Sequence, residues 1–191
     1  MTRLDTADHV AQPWRIHEMT ADFRVEDTWA FRTPGAGPDD FPTMLAALRA
    51  LDFDGPPLVR LLFKARWKLG AVFGWDRESH GVGGRVTSLR DRMPGDLRDA
   101  PRGQDRASMP LKAVYELDNE CARELANKTV HTVMHLGWVR RPDGEYELRM
   151  AVLVKPNGWW GRAYMTAIAP FRYLVVYPAM TRQWERAWLS R

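Results

Sequence analysis

The chain has 191 residues, 45% hydrophobic and 27% charged, with nine Trp, one Cys and a formal net charge of +4. That length suits one domain with a sizeable core, and the single Cys121 excludes an intrachain disulfide, which fits a reducing cytoplasm. No apolar leader opens the chain and no apolar run nears the roughly 18 residues of a membrane span, so neither secretion nor a membrane helix is expected.

Charge is unevenly placed. Residues 1–54 hold five basic and ten acidic side chains, whereas residues 55–75 hold Arg60, Lys64, Arg66 and Lys68 and no acid. Residues 148–191 set seven basic groups against Glu185. No reader motif accompanies these blocks, so nucleic acid is not an expected partner.

In chain order, "DFRVEDTWAF" (22–31) alternates, with Phe23, Val25, Trp29 and Phe31 on one side of a strand. "DDFPTMLAALRAL" opens with an Asp cap and sets Phe41, Leu45 and Leu48 on one helical face. "LVRLLFKARWKLGAVFGW" follows Pro56–Pro57 and predicts a second helix, its apolar stripe opposed by Arg60, Lys64 and Lys68. "GVGG" (81–84) has no Lys and reads as a turn. "GRVTSLRD" offers a strand, and residues 91–110 read as a flexible loop rich in Gly, Pro, Asp and Arg. "LKAVYELD" is a short strand. "ECARELANKTVHTVMHLGWV" predicts one long strand with a bend near "ANK". After the turn "RRPDGE", "EYELRMAVLVK" puts Tyr146, Leu148, Met150, Val152 and Val154 on one face.

"AYMTAIAPFRYLVVYP" (163–178) is helical in spacing yet contains Pro170 and Pro178. The first is expected to bend or restart the helix and the second to kink it. Tyr164, Ile168, Phe171 and Val175 are expected to face a sheet, and Tyr177, Met180, Trp184 and Trp188 continue the spacing. The order predicts an α+β fold over residues 1–191: an antiparallel sheet, helices on one face, and a long proline-kinked C-terminal helix across it. A gap between bent helix and curved sheet is the expected pocket.

On "ELANKTVHTVMHLGWV", "LVKPNGWWGRAYMTAIAPFRYLVVYPAM" and "RQWERAW", with weaker agreement in "RWKLGAVFGWD", the chain resembles an uncharacterised bacterial family of unknown function. That resemblance implies the helix-grip fold of START-like (SRPBCC) proteins, and it implies no reaction. Some relatives are fused to NAD-binding, short-chain-reductase-like domains, and their helix motif often reads Pro-Phe-His. Here it reads Pro-Phe-Arg (170–172), and no GxGxxG is present.

His131 and His135 lie four apart in a β-branched segment, which puts them on one face of a strand roughly 13 Å apart, too far for one metal. Glu124 lies close enough in sequence for acid–base work with His131 in an apolar cavity, or for a buried polar pair at the bend. Arg149 and Arg172 are candidates to clamp an anionic group. Cys121 shares a face with Arg123 and reads as a structural thiol.

The reading is a binding protein holding a hydrophobic or amphipathic small molecule between sheet and C-terminal helix. The contact set is Tyr115, His131, His135, Arg149, Met150, Tyr164, Ile168, Phe171 and Arg172, with no metal or other cofactor. Two alternatives stay open: a cyclase- or dehydratase-like enzyme using Glu124 and His131, and a membrane-surface module docking through Arg60, Lys64 and Lys68.

Overall fold

The computed structural model describes residues 2–51, 81–84, 86–105 and 110–191, with the side chains of Trp160 and Tyr164 left aside. The second helix expected at 58–73, with Arg60, Lys64 and Lys68, lies outside the described residues. Six strands form one antiparallel sheet in the order β1-β2-β6-β5-β4-β3. They are β1 (Thr2–Arg3), β2 (Arg24–Phe31), β3 (Lys112–Glu116), β4 (Glu120–Ala126), β5 (Val130–Arg140) and β6 (Tyr146–Pro156). The helices are α1 (Thr6–Val10), α2 (Phe41–Ala50), α3 (Gly158–Phe171) and α4 (Tyr177–Leu189), with a π-helical turn at Arg172–Val176 joining the last two. The fold is α+β.

Two expected strands differ. Residues 120–139 form a hairpin rather than one bent strand, because the Asn127 side-chain oxygen accepts from Thr129 N, Thr129 Oγ1 and Val130 N at 2.8, 2.8 and 3.0 Å. An Asx-type turn of this kind gives the backbone donors a local partner and reverses the chain. In β2, a bulge between Val25 and Asp27 breaks the alternation. Phe23 and Val25 therefore pack on one face of the sheet, and Trp29 and Phe31 on the other.

Both faces of the sheet are covered. The first carries an aromatic core of Trp29, Phe31, Trp138, Tyr177, Trp184 and Trp188, with Met150 and Leu148 from the sheet and Phe41, Met44 and Leu45 from α2. The face from Tyr146 to Val152 that alternation predicts on β6 lies here. The second face is covered by short 3-10 turns and the chain around them: Trp14, Ile16 and Met19 from the N-terminal segment, and Leu89, Met93 and Leu97 from residues 88–97. The described part of "GRVTSLRD", residues 84 and 86–91, is thus not a strand. Ser88 caps a 3-10 turn at Leu89–Arg92 through Arg90 N, and a second turn follows at Gly95–Leu97. Of the stretch read as a flexible loop, the described residues 91–105 have only these short turns, yet they bury Met93 and Leu97.

Neighbouring groups also close the outer edge of β3. Asp105 Oδ1 accepts from Ala113 N at 2.7 Å, Arg90 Nη1 donates to Val114 O at 2.9 Å, and Glu116 N donates to Pro101 O at 2.7 Å. Capped edges are poor templates for a further strand.

The C-terminal helix does not restart at Pro170, which sits inside α3. The irregularity comes afterwards, where Tyr177 N bonds Arg172 O across the π turn. A proline ring at position 178 would clash with the Leu174 carbonyl of an α-helix, and the wider π turn gives it room. Met165 and Ile168 pack against Val130 and Val154 ahead of the turn, and Tyr177, Trp184 and Trp188 are buried after it.

Gly137 on β5 is required by Trp14. A Cβ there would lie 2.6 Å from two carbons of the buried indole. Gly137→Ala is expected to destabilise the protein by about 1–3 kcal/mol through overpacking. In urea denaturation, adding Trp14→Leu should recover part of that loss, and a strictly additive double mutant would show that the two do not share the space.

Candidate functional site

The register of β4 and β5 builds a repeated side-chain pattern. His135 lies opposite Ala122 and His131 opposite Ala126. Alanine leaves each imidazole free to lean diagonally toward the glutamate two positions earlier on β4. His135 Nε2 meets Glu120 Oε2 at 2.8 Å, and His131 Nε2 meets Glu124 Oε2 at 2.8 Å. All four side chains are buried. The Glu-x-x-x-Glu of one strand and the His-x-x-x-His of the next are the same period of four, met across an antiparallel hairpin.

Each carboxylate then takes three donors in all. Glu124 also accepts from Ser88 Oγ at 2.5 Å and Leu89 N at 3.1 Å. Glu120 accepts from Tyr115 Oη at 2.7 Å and Arg15 N at 2.9 Å. Burial alone would raise both carboxyl pKa values; the bonds from the imidazoles and the other donors outweigh it and hold both below the usual value. Burial lowers the His135 pKa despite Glu120, so this pair is a neutral ring donating to an ionised carboxylate. Burial, then Glu120, raises the Tyr115 pKa.

Over His135 lies a second imidazole pair. The His9 ring contacts those of His135 and His17 edge-on, each at 5.1 Å between centroids. His9 Nε2 is buried without a hydrogen-bond partner. Burial, then the neighbouring His135 and His17, bring the His9 pKa down to about 3. Among the described residues no group of three His, Cys, Asp or Glu side chains is arranged to hold a metal ion.

The Glu124 pair borders open space. A polar cleft of about 160 Å³ at the β3 edge is lined by Glu124, Ser88, Arg90, Arg102, Asp105 and Lys112, among others. Burial, then the Arg102 charge, lower the Arg90 pKa, a sign that the two guanidinium groups share a crowded cationic corner.

The sheet divides the residues expected to share one pocket. Tyr115, His131, His135 and Glu124 face the N-terminal segment and residues 88–97, while Met150 faces the helices. Arg149 pairs with Glu147 at 2.8 Å. Ile168 packs at the far end of the helix face and Phe171 is half-buried; the Tyr164 side chain is outside the described set. Arg172 is held by Glu26 at 3.0 Å and Asp27 at 3.4 Å, beside the Tyr173 and Tyr177 hydroxyls that donate to Asp27. Between sheet and helices, Leu45, Leu48, Cys121, Met134, Leu136 and Trp184 border a pocket of only about 60 Å³. Cys121 is buried, which pushes its thiol up to about 12 and leaves it inert.

An antiparallel α+β domain with a buried carboxylate–imidazole pair opening on a cationic cleft defines the class. The chain belongs to the family DUF2867, proteins of unknown function, whose family model matches residues 19–179. No curated protein and no solved structure matches it. Sequence reasoning missed Glu120, Ser88, Arg90, Arg102, Lys112 and His9. Only Glu120 carried a signal, the spacing of four it shares with Glu124.

The His9 pKa sets a pH dependence. Below about pH 6.5 the unfolded chain protonates this ring and the folded one does not, so stability falls as pH falls from 6.5 toward 3, by about 1.4 kcal/mol per unit from this group alone. Urea midpoints across that window should decline in the wild type and decline less steeply in His9→Leu. Parallel curves would remove His9 as the cause.

Proposed function

We propose that the chain is a small-molecule-binding protein of helix-grip type whose ligand carries an anionic group and sits in the cleft above Glu124. One observation carries this reading: an ionised, buried carboxylate held by His131 lies in the wall of an open cleft where Arg90, Arg102 and Lys112 outnumber the one other acid, Asp105, whose Oδ1 is engaged by Ala113 N. Arginine forks and a lysine point charge suit phosphate or carboxylate oxygens. Glu124, with lone-pair capacity left on its oxygens, suits a hydroxyl or amine of the same ligand. The long terminal helix laid over an antiparallel sheet supports the helix-grip assignment.

Two comparisons favour this cleft over the alternatives. The space between sheet and terminal helix is about 60 Å³ against about 160 Å³ for the cleft, and both fall below the roughly 300–1,000 Å³ of a pocket for a drug-sized ligand, so the cleft suits a small anionic molecule. Aromatic side chains fill the helical side instead. A cyclase- or dehydratase-like role for Glu124 as proton donor would need a raised pKa, and its bonds hold it low.

A thermal-shift panel tests the proposal. Phosphorylated and carboxylated small molecules should raise the melting temperature by about 5–10 °C at a hundredfold excess over Kd. Arg102→Glu and Lys112→Glu, both at exposed positions, should abolish the shift while leaving the ligand-free melt in place. Stabilisation by neutral apolar compounds alone would sink the anion-cleft reading.

A further inference from the structure

The outer line of the C-terminal helix is unusual for a surface facing water. Trp159 is 60% exposed and Leu174 77%, and Ala163, Ala167 and Pro170 between them are exposed as well. Their steps of four, four, three and four residues keep them on one side of α3 and the first part of the π turn. Farther along, Arg182, Arg186 and Leu189 continue the exposed line, and Arg162 lies beside its start. Between residues 158 and 191 the only acid is Glu185, and its Oε1 accepts from Arg32 N at 3.1 Å.

We infer that this line is an in-plane docking surface for an anionic lipid bilayer. The apolar wedge supplies area for burial at the level of the headgroups, and Trp159 is the side-chain type favoured at that depth. Arg162, Arg182 and Arg186 supply attraction to anionic headgroups. No helix among the described residues is long and apolar enough to cross a membrane, so the contact lies along the surface.

A second copy is the other candidate occupant, and charge argues against it. Antiparallel pairing about the Pro170–Leu174 stretch would set Arg162 against Arg182 of the second copy, and parallel pairing would set each arginine against itself. Like charges across a two-fold interface are unfavourable. A bilayer presents the complementary sign.

Co-sedimentation of the full chain with phosphatidylcholine vesicles, alone or with about 30% phosphatidylserine, tests this. Sedimentation is expected with the anionic vesicles only, and raising salt from about 0.1 to 0.5 M should release the protein. Arg162→Glu/Arg182→Glu/Arg186→Glu should lower partitioning about tenfold or more. Leu174→Ser should weaken it at low salt too, which a purely electrostatic contact would not show. Unchanged melting temperatures verify that these exposed substitutions leave the fold intact. Equal sedimentation with both vesicle types, none with either, or a dimer in sedimentation equilibrium that Leu174→Ser dissolves without any vesicle affinity would each overturn the inference.

Discussion

Two carboxylates buried on an otherwise apolar sheet face constrain the rest of this molecule. An unpaired charge in such a place is costly, and breaking a buried pair typically costs about 3–5 kcal/mol. Glu120 and Glu124 are each met by an imidazole from the neighbouring strand and by donors from the layer above. Those outer donors are what fix the layer. Arg15 N ties the N-terminal segment to Glu120, and Ser88 with Leu89 N ties the 3-10 turns to Glu124. Chain with almost no regular structure thereby acquires a fixed seat, and Trp14, Ile16, Leu89 and Met93 fill the space between the anchors.

The two faces of the sheet divide the labour. The helical face is dense with aromatic rings, and its buried polar contacts, such as the two tyrosines on Asp27, lock the terminal helix against β2. The opposite face carries the titratable groups, and its open ground lies at the β3 edge. There the groups that cap the edge, Arg90 and Asp105, also line the cleft. Closing the edge and shaping the site are one arrangement.

The strands were largely legible in the sequence, because alternation and β-branched residues report a half-buried pleat directly. The face from Tyr146 to Val152 and the shared face of His131 and His135 follow from it. The hairpin at Asn127 was not, since its cause is one side-chain oxygen taking three local donors. Nor was the bulge at Val25 and Asp27, which carries no compositional mark. Of the candidate site, Glu124 and His131 were visible as neighbours in sequence. Their separation from Met150 and Arg172 was not, because which side of a sheet a residue faces depends on what covers it. The second cover layer comes from Gly- and Pro-rich chain that reads as loop, and so Ser88, Arg90 and Arg102 could not be placed.

The π turn has a consequence for how the helix tolerates changes in length. In an α-helix each residue advances the direction of a side chain by about 100°, so Met165 and Trp184, nineteen positions apart, would point in different directions. The wider turn at Arg172–Val176 absorbs one residue and lets both ends lie on the sheet. The helix is thus one residue longer than its packed ends require. A chain lacking Leu174 would keep both ends in phase as plain α-helix only with Pro178 replaced as well, since that ring needs the wider turn. Loss of two residues between Met165 and Trp184 would exceed what the turn can give up and would swing Trp184 and Trp188 away from the sheet.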